Sequence, residues 1–327
     1  MSAPLLPLLF TPVYKDYLWG GSRIASRFGR SGTPAPCAES WEVSAHPDGM
    51  SVVEGGPFAG RTLESLCEEY GAALLGTYVE GNRFPLLVKL IDAEKRLSVQ
   101  VHPNDEGAEK FGGEAKTEMW YFLDAAPDSI VCAGLKPGVG PRIFSDAVRE
   151  GSVSSLLKAV PVVPGKALYI PGGLVHAICE GCFVLEVQQN SNTTYRVYDW
   201  DRVGADGKPR ELHVKKAMEV IGWKGLGDIG LSTPYAMAAA GEGNVRERVV
   251  RSDYFTMERL TLASAEPRKA DGRSFHALFA ASGSVLVKGA AGEVLVPYGR
   301  SCLVPASFGE YSIVPQGGAA TVLSVEL

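Results

Sequence analysis

Apolar and polar side chains alternate with period two along most of this chain, and that alternation predicts a protein built mainly of β-strands. In Leu97–His102, Leu97, Val99 and Val101 take one side and Ser98, Gln100 and His102 the other, so one face of a strand carries three polar groups. A second strand is expected over Glu118–Leu123, and Phe84–Ile91 (FPLLVKLI) reads as a strand buried on both faces. Helical spacing appears in only three places. The first runs over about 62–76, from the N-cap residue Thr62 to Gly76; the second spans 141–158, with a break expected at Gly151; the third covers about 212–221 and stops at Gly222. From 223 to 244 the composition drifts to Gly, Ala and other small residues, as in a linker, and a further β-rich block fills 245–327. The expected organisation is therefore a domain over 1–222 with helical insertions, a linker over 223–244, and a smaller C-terminal β domain over 245–327.

A chain of 327 residues with 46% hydrophobic and 21% charged positions can bury a substantial core, as a soluble globular protein does. With 32 Lys and Arg against 37 Asp and Glu, the net charge of −5 offers no broad basic footprint for nucleic acid. An anionic substrate would need a locally positive pocket. Six cysteines in this length are too sparse for a disulfide framework and fit a reducing, cytoplasmic setting. The Cys179-x-x-Cys182 pair has no second pair beside it and is read as packing. The N-terminal stretch MSAPLLPLLFTP is apolar, yet it lacks a basic start and carries three prolines, so neither a signal peptide nor a membrane anchor is expected.

The candidate chemistry is concentrated between Leu97 and Tyr121. After Gln100 and His102, a short helix-compatible connection and the Gly112-Gly113 turn lead to Lys116 and Glu118, two apart at the head of the next strand. Nitrogen and oxygen donors of this kind suit Zn²⁺ or another borderline divalent ion, and a catalytic site would leave one coordination position open. A further ligand is expected at His176, where Pro171-Gly172-Gly173 ends one strand and the histidine heads the next. The spacing from Gly165 through Pro171 and Gly173 to His176 resembles the second half of a cupin metal motif, and cupins are double-sheet jelly rolls whose ligands project inward from neighbouring strands. Gly299, Pro305, Ser307 and Glu310 repeat that spacing, with Glu310 where His176 stands, which suggests a second, degenerate cupin-like unit without its ligand. The fold class expected is thus a cupin jelly-roll barrel with short helical insertions plus a smaller degenerate cupin-like β unit.

The segment Val184–Arg202 adds Glu186 and Gln188 on one strand face and Thr194, Arg196 and Tyr198 on another. An arginine there can clamp a phosphate or polarise a sugar oxygen, but it cannot serve as a base. Taken together, Trp19-Gly20-Gly21, ESWEVSAHP (39–47), LSVQVHP (97–103), KTEMWY (116–121), PGGLVHAI (171–178) and QQNSNTTYRVYDWDR (188–202) closely resemble the type I mannose-6-phosphate isomerases in their short bacterial form. The resemblance runs in order from about Phe10 to the end and is strongest up to Arg202. It implies a zinc-dependent interconversion of mannose 6-phosphate and fructose 6-phosphate, one Zn²⁺ per chain, a small sugar phosphate as partner, and a monomer or homodimer with no nucleic-acid or membrane partner. By matching positions it implies Gln100, His102, Glu118 and His176 as metal ligands, Arg196 as the essential arginine, and Lys116 and Ser98 as substrate-site groups. Asn192 stands where the family pattern has an aspartate.

Moving a proton between C2 and C1 requires a base, and the enediolate between them requires positive charge nearby. Lys116, a zinc-activated water, Glu186 and a released His102 are the candidate bases, and Arg196, Lys89 and Lys95 the candidate phosphate cations. Two other readings stay open on the residues alone. One is a non-catalytic sugar-phosphate-binding cupin; the other is a non-haem iron oxygenase using His102, Glu118 and His176 as a facial triad.

Overall fold

The β-branched and aromatic runs form strands, as their alternation requires, and 21 strands separate short helices in a computed structural model that describes residues 4–204, 207–227 and 229–327. Residues 1–3 of the apolar N-terminal stretch and position 228 of the expected linker lie outside the described residues. The fold is mainly β and cupin-like. No helix among the described residues is long and apolar enough to cross a membrane. The chain divides into two compact units, one made of Met1–Val13, Trp41–Lys89 and Thr233–Leu327, the other of Tyr14–Ser40 and Leu90–Ser232.

The unit that carries the Leu97–Tyr121 stretch is a pair of sheets. One places Glu118–Ala125 between Ala167–Ile170 and Cys182–Gln189. The other runs Tyr195–Tyr198, Val99–Val101, His176–Ile178, Ile130–Leu135, Leu157–Pro161. Trp120, Phe122, Leu168, Ile170 and Val184 of the first sheet share one apolar cluster with Val131, Ala133 and Ile178 of the second, so the two sheets pack face to face. The back of the five-stranded sheet is also apolar. Its Val99, Val101, Ala177 and Val197 pack against Phe144 and Ala147 of the helix Pro141–Arg149 and against Ala217 and Val220 of the helix Val214–Val220. Both faces of that sheet being covered, a polar side chain on the inner face is there at a desolvation cost.

Local sequence explains the turns that set this up. Gly151, at φ +69°, ends the helix that Pro141 opens, and a 3₁₀ turn over Val153–Leu156 follows. Gly172 has to be glycine because a Cβ there would lie 2.6 Å from the Asn104 Cα. That close approach lets the Gly173 amide donate to the His102 carbonyl at 2.7 Å, pinning the turn before His176 to the segment after His102.

In the other unit a ten-stranded sheet, with the long strands His276–Gly289 and Gly309–Glu326 at its centre, curls around a core that includes Leu260, Leu278, Val287, Val304 and Val322. The helix expected over 62–76 is formed in two pieces, Leu63–Tyr70 and Ala72–Leu75, because Gly71 at φ +45° and ψ −123° leaves helical geometry. Thr62 caps the first, accepting from the Ser65 amide at 3.1 Å. The repeat motif Gly299–Glu310 does form a strand, a 3₁₀ turn and a second strand, but the Glu310 side chain is 84% exposed rather than turned inward.

Candidate metal centre and active site

Strand register brings the polar residues together in two rows. On the five-stranded sheet Gln100 is the direct neighbour of both His176 and Arg196, and cross-strand neighbours share a face. On the facing sheet Glu118 lies between Ile170 and Gln188, and two residues further along Trp120 is opposite Glu186. His102 follows directly on the strand Val99–Val101. One nitrogen or oxygen each from His102, Glu118 and His176 falls within 4.8 Å of the others, and all three residues are buried. His176 Nε2 is 3.5 Å from Glu118 Oε1, and His102 Nε2 is 3.5 Å from Glu118 Oε2.

The orientation of both rings is set from behind. His102 Nδ1 lies 2.9 Å from the Thr193 carbonyl and His176 Nδ1 2.8 Å from the Leu174 carbonyl. A carbonyl only accepts, so each Nδ1 carries the proton and each Nε2 turns a lone pair to the centre, as a metal-ligating imidazole does. Burial is the main reason that the His176 imidazole is lowered from its ordinary 6.5 to about 4, so it is neutral at neutral pH. The neutral His176 imidazole, the His102 imidazole and one carboxylate, all buried, fit a divalent cation: the donors are of the right kind. Gln100 stands beside them with its amide nitrogen 3.3 Å from His176 Nε2, while its Oε1 accepts from Ser98 Oγ at 3.2 Å. A half turn of that amide would present the oxygen to the same point.

Cationic and acid–base groups surround the three. Lys116 Nζ is 2.7 Å from Glu118 Oε2, 3.3 Å from His102 Nε2 and 3.7 Å from Glu186 Oε1. Arg196 donates from Nε to Ser98 Oγ at 3.3 Å and from Nη1 to the Glu211 carbonyl at 2.8 Å. Ser98 thus links Arg196 to Gln100. Of the other cations considered for phosphate, Lys95 is exposed and Lys89 belongs to the other unit, where its Nζ sits 5.9 Å from the Trp41 ring centroid. Asn192, in the segment before Arg196, receives the Glu114 carboxylate on its backbone amide at 3.0 Å. The Cys179 thiol approaches Cys132 at 4.0 Å rather than Cys182, and all six cysteines are free and buried.

Trp120, which no motif singles out, also lines this centre. Its ring meets His176 edge-on at 5.4 Å between centroids, and its Nε1 donates to Glu186 Oε2 at 3.0 Å. Period two already placed it on the Glu118 face, since the two are separated by one residue; what was missing was that Glu186 lies opposite.

Known proteins match this chain along most of its length. Residues 8–130 match the model of the phosphomannose isomerase type I catalytic domain, and residues 245–324 that of the mannose-6-phosphate isomerase cupin domain. A probable mannose-6-phosphate isomerase of Bacillus subtilis, GmuF, is 37% identical over 315 residues, covering 94% of this chain and 96% of that protein. This chain belongs to the mannose-6-phosphate isomerase family. Within the family, the ManA enzyme of B. subtilis is 46% identical over 217 residues, 66% of this chain and 68% of its own. A crystal structure of the mannose 6-phosphate isomerase from B. subtilis superimposes with a TM-score of 0.89 at 33% identity, over 99% of this chain and 100% of that one. A putative mannosephosphate isomerase from Archaeoglobus fulgidus gives 0.77 at 25% identity, over 99% and 98%. The B. subtilis isomerase structure thus spans 99% of this chain, and the type I catalytic-domain model, over residues 8–130, covers the strands that carry Gln100, His102 and Glu118.

Proposed function

We propose that this protein interconverts mannose 6-phosphate and fructose 6-phosphate through an enediolate, with a zinc ion held by His102, Glu118 and His176 and by Gln100 once its amide has turned. The observation that carries the proposal is the convergence of two Nε2 lone pairs and one carboxylate within 4.8 Å in a chain of this family. A bound Zn²⁺ would supply Lewis acidity, polarising the sugar oxygens at C1 and C2. With Glu118 as the sole anionic ligand the centre would keep net positive charge, which favours a phosphorylated anion in a protein whose net charge is −5.

The chain's own groups divide the remaining work. Arg196, fixed by Ser98 and the Glu211 carbonyl, presents a planar fork that would clamp a substrate oxyanion. Lys116 and Glu186 are 3.7 Å apart, with Glu186 oriented by the Trp120 indole, so either can carry the proton between C2 and C1 while the other holds its position. Ser98 would position both Arg196 and Gln100. The purified protein, assayed before chelation, after chelation and after zinc is restored, should lose and regain isomerisation of mannose 6-phosphate. A folded protein inactive with every divalent metal tried would sink the proposal.

A further inference from the structure

The C-terminal β unit carries a second polar interior. The strand Thr256–Leu262 turns Glu258, Leu260 and Leu262 to one face, and Leu260 and Leu262 are core residues. Cross-strand register puts Arg248 opposite Glu258, Arg246 opposite Leu260, Ser324 opposite both Glu258 and Leu278, and Arg268 opposite the core residue Tyr311. These arginines therefore sit on the core-facing side of the curled sheet, where an interior sealed by apolar side chains would have no use for them. They end in a cavity of about 1110 Å³.

The cavity floor is a connected network. Arg246 forms a fork on Glu258, with Nε 3.0 Å from Oε2 and Nη2 2.7 Å from Oε1, and Arg268 Nη1 reaches the same carboxylate at 2.7 Å. His276 joins Tyr311 through Nδ1 at 2.6 Å and Glu326 through Nε2 at 3.1 Å. Arg268, Glu258 and His276 side chains are 6%, 4% and 6% exposed. Such buried ion pairs add little net stability over apolar packing, so stability does not account for them. The charges also fail to balance. Basic side chains outnumber acidic ones around the cavity. Arg248 has no carboxylate at ion-pair distance among the described residues and instead stacks over Tyr235, 5.1 Å from its centroid. Arg251 and Lys288 add positive charge at the exposed rim. Ser324 Oγ, buried beneath Glu258, has no hydrogen-bond partner among the described residues. An open, concave site with a guanidinium fork not paired to a carboxylate and an excess of basic groups around it attracts a multiply charged oxyanion.

We infer that this cavity is a second small-molecule site, separate from the isomerase centre, that binds a phosphate ester. The size of the cavity admits a sugar phosphate or a nucleotide, and the Arg248 guanidinium, paired with no carboxylate among the described residues, can meet phosphoryl oxygens together with Arg251 and Lys288 at the rim. The inference does not depend on the reaction assigned to the metal centre, because every residue in it lies in the other unit.

The test is equilibrium binding of inorganic phosphate to the whole, zinc-loaded protein, followed by calorimetry at fixed ionic strength. An Arg248→Glu, Arg251→Glu double variant should lose roughly tenfold or more in phosphate affinity at one site while keeping its melting temperature and isomerase turnover. An Arg251→Glu, Lys288→Glu variant, changed only at exposed positions, should show the same direction of change. Arg196→Ala should leave this site's binding intact. A sugar monophosphate and a nucleoside diphosphate, added as competitors, distinguish the source: the better displacer names the class, and either one should outcompete inorganic phosphate. Phosphate binding that is the same in both charge-reversed variants as in the unmodified protein would overturn the inference. So would displacement by chloride as effective as displacement by phosphate esters, which would reduce the site to an adventitious ion only.

Discussion

Replacing Glu118 by Gln removes the one formal negative charge among the four candidate ligands while keeping the shape of the side chain. Two effects follow, and they have different sizes. Without metal, the Lys116 ammonium, 5% exposed and 2.7 Å from the carboxylate, loses its closest counter-charge. Breaking a buried pair from one side costs about 3–5 kcal/mol, and Glu186, 3.7 Å from Lys116, keeps the expected loss near the lower end, about 3 kcal/mol. With metal the loss is larger. A ligand at 1,000 times its dissociation constant stabilises the folded state by about 4 kcal/mol, and a hundredfold weaker site at the same concentration leaves about 1 kcal/mol. Urea unfolding of the unmodified and Glu118→Gln proteins, each with a chelator and with buffered zinc, measures both quantities. The variant should start lower and gain far less from zinc. If zinc raised the Glu118→Gln midpoint as much as that of the unmodified protein, Glu118 would not be a ligand and the assignment of the centre would fail.

Two further outcomes are expected. Arg196→Lys should retain bound metal, measured by elemental analysis, and lose roughly a hundredfold in turnover, because a point charge cannot keep the Ser98 contact and a planar fork on substrate together; unchanged turnover would make Arg196 a structural cation. In chelated protein, stability should fall as pH drops from 6.5 towards about 4, since the unfolded chain takes a proton on His176 that burial denies the folded state, and above 6.5 this contribution is flat. The urea midpoint of a His176→Gln variant should lack that component, and a difference between the two proteins that stayed constant with pH would refute it.

Much of the candidate metal centre was legible because strand geometry is local. A period of two places Ser98, Gln100 and His102 on one side of a strand and Glu118 with Trp120 on one side of another, wherever those strands end up. The Pro171-Gly172-Gly173 turn could likewise be read as a strand junction heading for His176, and Gly151 as a break in the helical spacing, because backbone sterics act within a few residues, although the helix expected beyond it to 158 gives way to a 3₁₀ turn and a strand. Gly71 could not be read in this way, since a glycine interrupts a helical pattern or passes unnoticed according to the packing on either side of it.

Tertiary structure alone decided which faces meet. Glu118 reaches His176 only because the two sheets pack through Trp120, Phe122, Val131 and Ile178, and Arg196 reaches the site only through its register with Gln100. Desolvation belongs to the same category: His176 is held neutral by atoms far from it in sequence, and no composition or spacing encodes that. The C-terminal unit makes the contrast sharper. Its sequence reads as a β-rich block, and its repeated glycine and proline spacing directs attention to Glu310, which faces solvent. Only when the sheet curls do Arg246, Glu258, Arg268 and His276 meet on its inner side, because alternation fixes two faces for each strand but only packing determines which of them is turned inward.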